Sequence, residues 1–201
     1  MKGTRFYWFM RAVVWPLMHL IFPYKITGKE NIPAEGPVLI CANHISVIDP
    51  VFLACGLKRP VTFIAKKELF QGRFTRWFFT HLGMIPVDRG GTDMASMRAS
   101  LGVLKEDGVL GIFPQGHRYK KDENRHIENG ASLLALKSKA TVVPVYFRPP
   151  VRPLHFIRIA IHPPIDLSDI KHIDASTMAL VDERLKTYIW HDEEPRRRLE
   201  G

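Results

Sequence analysis

A histidine and an aspartate five residues apart could act as a base and its orienting partner. His44 and Asp49 stand where an apolar run at residues 38–42 gives way to a helix-like pattern beginning near Pro50. A carboxylate that holds one imidazole nitrogen leaves the other free to take a proton from a hydroxyl. The structural alternative is that His44 is a loop histidine and that Ser46 or Asp49 caps the helix, with Asp49 favoured because Pro50 suits the first helical position. The spacing by itself leaves both interpretations open.

Three further apolar runs, at residues 84–88, 109–113 and 141–147, end in or contain residues that suit a polar ligand. Arg89 and two glycines follow the first run, and arginine can bind phosphate through two parallel hydrogen bonds. A polar turn follows the second run, with the candidates Gln115, Gly116 and Arg118. Pro144 lies inside the third run, where we expect an interrupted or irregular strand. The first two features also fit an ordinary turn. Because ligands bind at the carboxyl ends of strands in open α/β sheets, we expect these residues to share one edge.

Short apolar runs alternate with helical patterns along the chain, which predicts an α/β fold with a largely parallel central sheet flanked by helices. We expect strands at 38–42, 61–65, 84–88, 109–113, 141–147 and 156–161. We expect helices at 74–82, 93–107, 131–140 and 175–190, the second with Asp93 as N-cap. No repeat or linker divides the chain, so we expect one catalytic domain at 25–201, preceded by a distinct segment at 1–24.

The N-terminal segment is the most apolar stretch, with tryptophans and arginines among large aliphatic side chains. As a helix it would keep Arg5, Arg11 and His19 within an arc of about 120°. It would be about 25 Å long, which is shorter than the ~30 Å hydrocarbon core of a bilayer. This pattern favours a helix lying in the membrane interface. The alternative is a soluble helix packed on the core.

The balance of 29 basic against 20 acidic residues gives a net charge of +9 and implies an anionic partner. The basic residues are dispersed and match no nucleic-acid module, so we expect no nucleic acid as partner. An anionic membrane surface or an acidic protein fits better. Cys41 and Cys55 are expected to be buried free thiols. No metal site is predicted, because the chain has neither a His-Glu-x-x-His nor a Cys-x-x-Cys pattern.

Taken together, the four segments resemble the four sequence blocks of the glycerolipid acyltransferase family, the group that contains the 1-acyl-sn-glycerol-3-phosphate acyltransferases. The first block is Asn-His-x-Ser-x-x-Asp at residues 43–49, and the second ends in Pro-Val-Asp-Arg at 86–89. The third is Phe-Pro-Glu-Gly-Thr-Arg in the family and departs here at Gln115 and His117, and the fourth is Val-Pro-Val at 143–145. Residues 65–70 are also similar to the family's segment between the first two blocks. The resemblance covers roughly residues 25 to 165.

This resemblance implies transfer of a fatty acyl group from acyl-CoA or acyl carrier protein to the sn-2 hydroxyl of 1-acylglycerol-3-phosphate (lysophosphatidic acid), which yields phosphatidic acid. It implies His44 as general base oriented by Asp49, and no cofactor besides the acyl donor. The implied substrate-binding residues are Lys66, Arg89, Gln115, Gly116 and Arg118. Backbone N–H groups near His44 or Gly116 are candidates to bind the oxyanion.

A protein of this kind is expected at the cytoplasmic face of a membrane, as a peripheral or monotopic protein. Two alternatives stay open. Gln115 lacks the charge of the family's glutamate, so the same chemistry could serve a different lysolipid or polar-lipid acceptor. The chain could also be a lipid-binding module without catalysis, an alternative that the intact His44 and Asp49 disfavour.

Overall fold

One seven-stranded sheet with helices on both faces forms the body of the protein in the computed structural model, which describes residues 4–88, 93–116 and 127–190. The strands are β1 (Tyr24–Thr27), β2 (Val38–Ala42), β3 (Val61–Lys66), β4 (Ile85–Val87), β5 (Val109–Ile112), β6 (Thr141–Phe147) and β7 (Ile157–Ile161). The helices are α1 (Arg5–Ile21), α2 (Asp49–Gly56), α3 (Arg73–His81), α4 (Met94–Lys105), α5 (Asn129–Ser138) and α6 (Ala175–Ile189). The predicted α/β class is confirmed, and the predicted elements exist with ends shifted by up to two residues.

The strand order is β1-β7-β6-β2-β5-β3-β4, and the five strands from β6 to β4 are parallel. The two remaining strands run the opposite way, because β7 is antiparallel to β6 and parallel to β1. The sheet is therefore largely parallel, as predicted. The carboxyl ends of five strands meet at one edge, which we call the carboxyl edge.

Central strand β2 is buried along its whole length because helices cover both faces of the sheet. Val38, Ile40 and Ala42 pack into a cluster that includes Phe52 of α2 and Met18 of α1. The alternate residues of β2 pack into a second cluster with side chains from α4, α5 and α6. The two clusters place α1 and α2 on one face of the sheet and α4 to α6 on the other.

Pro144 does not interrupt its strand, so the prediction of an irregular strand is wrong. It lies within β6, where it is the register partner of Cys41 in β2. On the other side β7 ends at Ile161, opposite Val145, and the Pro144 carbonyl accepts a bond from the His162 N–H at 2.9 Å. Because the N and C=O of one strand residue face the same side, the missing N–H of proline costs no ladder bond with β2.

Helix α1 is attached to the core along one side. The Tyr7 hydroxyl donates to the carbonyl of Ala54 at 3.3 Å and accepts from the N–H of Val61 at 3.2 Å. The opposite side carries large exposed apolar residues, with Phe9 62% and Leu20 75% exposed. Across the described ranges, no helix combines the length and the apolar character that crossing a bilayer requires.

Candidate active site

The loop between β2 and α2 begins at the carboxyl edge with a buried asparagine. The side chain of Asn43 donates from Nδ2 to the carbonyl of Phe147 at 2.9 Å and accepts at Oδ1 from the Phe147 N–H at 2.7 Å. These two bonds continue the pairing of β2 with β6 by one side chain beyond the end of β2. The asparagine therefore sets the direction in which the chain leaves the sheet and reaches His44.

His44 and Asp49 are in direct contact, as the catalytic interpretation predicted. The Nδ1 of His44 lies 2.9 Å from Oδ2 of Asp49. The same oxygen accepts from the backbone N–H groups of Ile45 and Ser46, each at 2.7 Å. Because a carboxylate oxygen can only accept, Nδ1 carries the proton and Nε2 is left as the proton acceptor.

Asp49 does not cap helix α2, so the expectation of an Asp49 N-cap, and of its Ser46 alternative, is wrong. The cap position is Ile48, whose carbonyl accepts from Val51 at 2.9 Å and Phe52 at 3.3 Å without a side-chain cap. The carboxylate folds back onto the loop before the helix because the N–H groups there are adjacent to the imidazole. Asp49 is fully buried, and among the described residues its Oδ1 has no hydrogen-bond partner. The hydrogen bonds of the carboxylate are therefore made to the loop backbone and to His44, and none to the helix.

The imidazole ring is also held by an aromatic side chain that follows β5. The Phe113 ring stacks on the His44 ring with centroids 4.1 Å apart and an angle of 24° between the planes. The Phe63 ring of β3 lies behind Phe113 at 6.1 Å. With Nδ1 held by Asp49 and one ring face covered, the imidazole has one orientation. Sequence reasoning assigned no role to Phe113 or Asn43; the strand register needed to place them is not visible in the chain.

Gln115 lies against His44 and is 4% exposed. Its Oε1 accepts a 2.8 Å bond from the backbone N–H of His44. Gly116 completes the turn after β5 at φ 70°, with its N–H bonded to the Phe113 carbonyl at 3.0 Å. A β-carbon there would be strained and would lie 3.2 Å from the Glu128 side chain. The structure therefore brings Gln115 to His44, and Gly116 shapes the turn that carries Gln115.

Four of the backbone N–H groups near His44 and Gly116, where the oxyanion donors are expected, already have hydrogen-bond acceptors. The N–H of His44 is bonded to Gln115, and the N–H of Gly116 to Phe113. The N–H groups of Ile45 and Ser46 are bonded to Asp49. None of these backbone groups can serve an oxyanion without breaking a bond.

One of the three expected phosphate-binding residues, Lys66, lies at the carboxyl edge. Lys66 is the last residue of β3 and its side chain is exposed. The next residue, Lys67, forms an ion pair with Asp88 just after β4, and this hydrogen bond raises the pKa of Lys67. Arg89 and Arg118 lie outside the described residues.

The two thiols are buried, as predicted. Burial raises the pKa of both the Cys41 and the Cys55 thiol, so neither suits a nucleophile. In the described part of the chain, no three His, Cys, Asp or Glu side chains are grouped as metal ligands would be.

Comparison with known proteins decides the family. A family model described as Acyltransferase matches residues 23–148, well over half of the chain. The chain belongs to the Acyltransferase family. It is 30% identical over 172 residues to the 1-acyl-sn-glycerol-3-phosphate acyltransferase of Bacillus subtilis, and the aligned region covers 82% of this chain and 85% of the relative. It is 32% identical over 197 residues to the Streptococcus pneumoniae protein of the same name, and the aligned region covers 92% of this chain and 73% of the relative.

A solved structure agrees with the fold of this acyltransferase. The 1-acyl-sn-glycerophosphate acyltransferase PlsC from Thermotoga maritima superposes with a TM-score of 0.68 and 18% identity, over 94% of this chain and 79% of that one. The match confirms the α/β architecture. The chain is an O-acyltransferase, and His44 and Asp49 at its carboxyl edge lie within the matched segment.

Proposed function

We propose that this enzyme transfers a fatty acyl group from acyl-CoA or acyl carrier protein to the sn-2 hydroxyl of 1-acylglycerol-3-phosphate. The observation that carries the proposal is the 2.9 Å contact of His44 Nδ1 with the buried Asp49 carboxylate, which leaves Nε2 as a base at the carboxyl edge. The names of the curated relatives support this acceptor. The products are phosphatidic acid and a free thiol.

In this mechanism His44 moves one proton twice. Its Nε2 takes the proton of the acceptor hydroxyl while the hydroxyl oxygen attacks the thioester carbonyl carbon. Asp49 stabilises the imidazolium that forms. The tetrahedral intermediate then collapses and expels the sulfur, which takes the proton from Nε2. The C–S bond is replaced by a C–O bond, and the enzyme returns to its starting protonation state.

The acceptor phosphate is bound in this proposal by Lys66, Arg89 and Arg118, with Gln115 and Gly116 shaping the pocket beside His44. Lys66 is supported by its exposed position at the end of β3, and the two arginines by their place after β4 and after the turn of Gly116. Because Oε1 of Gln115 accepts from His44, its Nε2 amide is directed elsewhere and can donate to a substrate oxygen. This amide could bind the oxyanion in place of the backbone N–H groups that already have acceptors.

A second candidate acceptor is favoured by the same residue. The family's block has glutamate where this chain has Gln115, so a charge that could pair with the acceptor is replaced by a neutral amide. The acyl transfer would be unchanged, and the acceptor would be another lysolipid or a polar lipid.

Residues 1–24 form a membrane-interfacial segment in this proposal, and residues 25–201 the catalytic domain. The exposed apolar side of α1 and the absence of any acidic residue before Glu30 support docking on an anionic membrane surface. A bilayer partner also suits an acceptor that is itself a lipid. Because acyl-CoA and acyl carrier protein are soluble donors of the cytoplasm, the proposal has the site at the cytoplasmic face of the membrane.

The decisive experiment is an acceptor panel with both donors, read by thiol release with the full chain and mixed vesicles. Lysophosphatidic acid should give the highest kcat/KM, and His44→Ala should abolish turnover while the protein keeps its circular dichroism spectrum. Arg118→Ala should raise KM for this acceptor, whereas Arg98→Ala, an exposed arginine on α4, should not. Preference for another lipid would favour the second acceptor, and no thiol release with any lipid would refute catalysis.

A further inference from the structure

A second apolar element lies beside the last turn of α1. It is the loop at residues 152–156, which we call the β7 loop. Leu154 and Phe156 in this loop are 81% and 57% exposed. The N–H of Leu154 donates to the carbonyl of Ile21 at 2.7 Å, so the loop is fixed to the end of α1, where Leu20 is 75% exposed. The exposed apolar surface of α1 therefore continues onto a second, distant part of the chain.

The two chain segments that carry this surface contain basic but no acidic residues. The sequence contains no aspartate or glutamate from residue 1 to 29, and none from residue 129 to 165. The second of these segments carries Arg148, Arg152 and Arg158, and the Arg158 guanidinium lies 5.8 Å above the Phe156 ring. Exposed apolar side chains on segments that carry arginines and no carboxylates suit the headgroup region of an anionic bilayer.

The β7 loop also lies at the edge that holds the catalytic pair. Because β7 is antiparallel to β6, with Phe147 opposite Ile159, the residues before Ile157 extend beyond the carboxyl end of β6. The carbonyl of Arg158 accepts from the Arg148 N–H at 3.0 Å, immediately after that end. The end of β6 is joined to the loop of His44 through Asn43.

We propose that the β7 loop is a second membrane-inserting element, which places Leu154 and Phe156 in an anionic phospholipid leaflet and seats the carboxyl edge on the bilayer. This inference rests on the proposed interfacial role of α1 and adds a site outside it. With α1 alone, the enzyme could turn about the helix axis. A second contact at the carboxyl edge fixes the face that meets the lipid, so that lipid acceptors leave the bilayer next to His44.

The test compares three double variants of the full chain. Leu154→Ser/Phe156→Ser removes the β7 loop side chains, and Phe9→Ser/Leu20→Ser removes the α1 side chains. Ile173→Ser/Leu180→Ser is the matched control, because Ile173 and Leu180 are 49% and 41% exposed. Ile173 lies just before α6 and Leu180 within it, and α6 packs on the other face of the sheet. Binding is measured by sedimentation with phosphatidylcholine vesicles, with and without phosphatidylglycerol. Thermal unfolding checks that each variant is folded.

The β7 loop variant should bind phosphatidylglycerol vesicles about ten-fold or more weakly, since two large apolar side chains no longer leave water. The control should bind as wild type does. Binding of the loop variant within about two-fold of wild type overturns this inference, and if the α1 variant alone is impaired, the interfacial α1 stands without it. If neither variant is impaired, the membrane part of the proposed function fails as well. Equal wild-type binding with and without phosphatidylglycerol would contradict the anionic partner.

Discussion

The backbone N–H of His44 donates to Oε1 of Gln115 across 2.8 Å, and this bond joins the ends of two neighbouring strands. Cys41 of β2 is the register partner of Ile112 of β5, so His44 and Gln115, each three residues further along, lie at the same level. Gln115, one of the two positions at which the chain departs from the family's third block, therefore supports the backbone of His44. Glutamine keeps the acceptor that this bond needs, although it lacks the charge of glutamate.

Changes at Gln115 should separate this support from substrate binding. In Gln115→Leu the N–H of His44 loses its acceptor in a buried site, at a cost of about 1–3 kcal/mol. We expect a lower melting temperature and a kcat reduced by about ten-fold or more. Gln115→Glu keeps an acceptor oxygen and should retain the melting temperature, with its main effect on KM for the acceptor. Equal behaviour of the two variants in thermal unfolding and steady-state kinetics would contradict the bond's role.

Replacement of Asp49 by asparagine should leave the fold and remove most activity. The amide oxygen can still accept from Ile45 and Ser46, but it offers no negative charge to the imidazolium of His44. We expect kcat to fall by about 10²- to 10⁴-fold at saturating acceptor, with a nearly unchanged melting temperature. Asp49→Ala removes the acceptor as well and should also unfold at lower temperature. A kcat for Asp49→Asn within a few-fold of wild type would show that Asp49 has no part in catalysis.

Asn43→Ala should destabilise the protein through the end of β2. The change removes both buried bonds to Phe147, for which we expect a loss of about 2 kcal/mol in the free energy of unfolding. Asn31→Ala is a matched control, because Asn31 makes one side-chain bond of 2.9 Å to the Ile161 carbonyl in a less buried place. Urea denaturation measures both values. A loss for Asn43→Ala no larger than the control's would mean that the bridge to β6 contributes little.

Acid should reduce the stabilisation that the N-cap residue Asp174 gives to helix α6. Asp174 accepts hydrogen bonds from the Ser176 hydroxyl and the Thr177 N–H, which lower its pKa from 3.8 to about 2. A depressed pKa in the folded state means that the stabilisation is complete above pH 3.8 and is lost as the pH falls towards about 2. The difference in melting temperature between wild type and Asp174→Ala should therefore be constant near neutral pH and shrink below pH 3.8. A difference that stays constant down to pH 2.5 would contradict this role.

Periodicity and composition were sufficient for most of the fold. The alternation of apolar runs and helical patterns predicts an α/β sheet. The Asp93 cap of α4 could also be predicted, because capping is a local interaction: the Asp93 side chain accepts from the N–H groups of Ala95 and Ser96 in the first turn. Strand β1 was not predicted, since four residues with only alternate burial give a weak signal. The order of strands, and the reversed direction of β7 and β1, could not be predicted, because pairing depends on contacts far apart in sequence.

By itself, the sequence determined which residues could carry the chemistry: a histidine and an aspartate five residues apart, and polar or basic residues where three other strands end. It also determined an apolar N-terminal segment that contains no acidic residues. Only the tertiary structure decided what these residues do for one another. Asp49 could have capped its helix, but the backbone N–H groups of the loop and the imidazole together offer its carboxylate three donors at one oxygen. Gln115 became a support of His44 because strand register, which no local pattern encodes, sets β2 and β5 side by side.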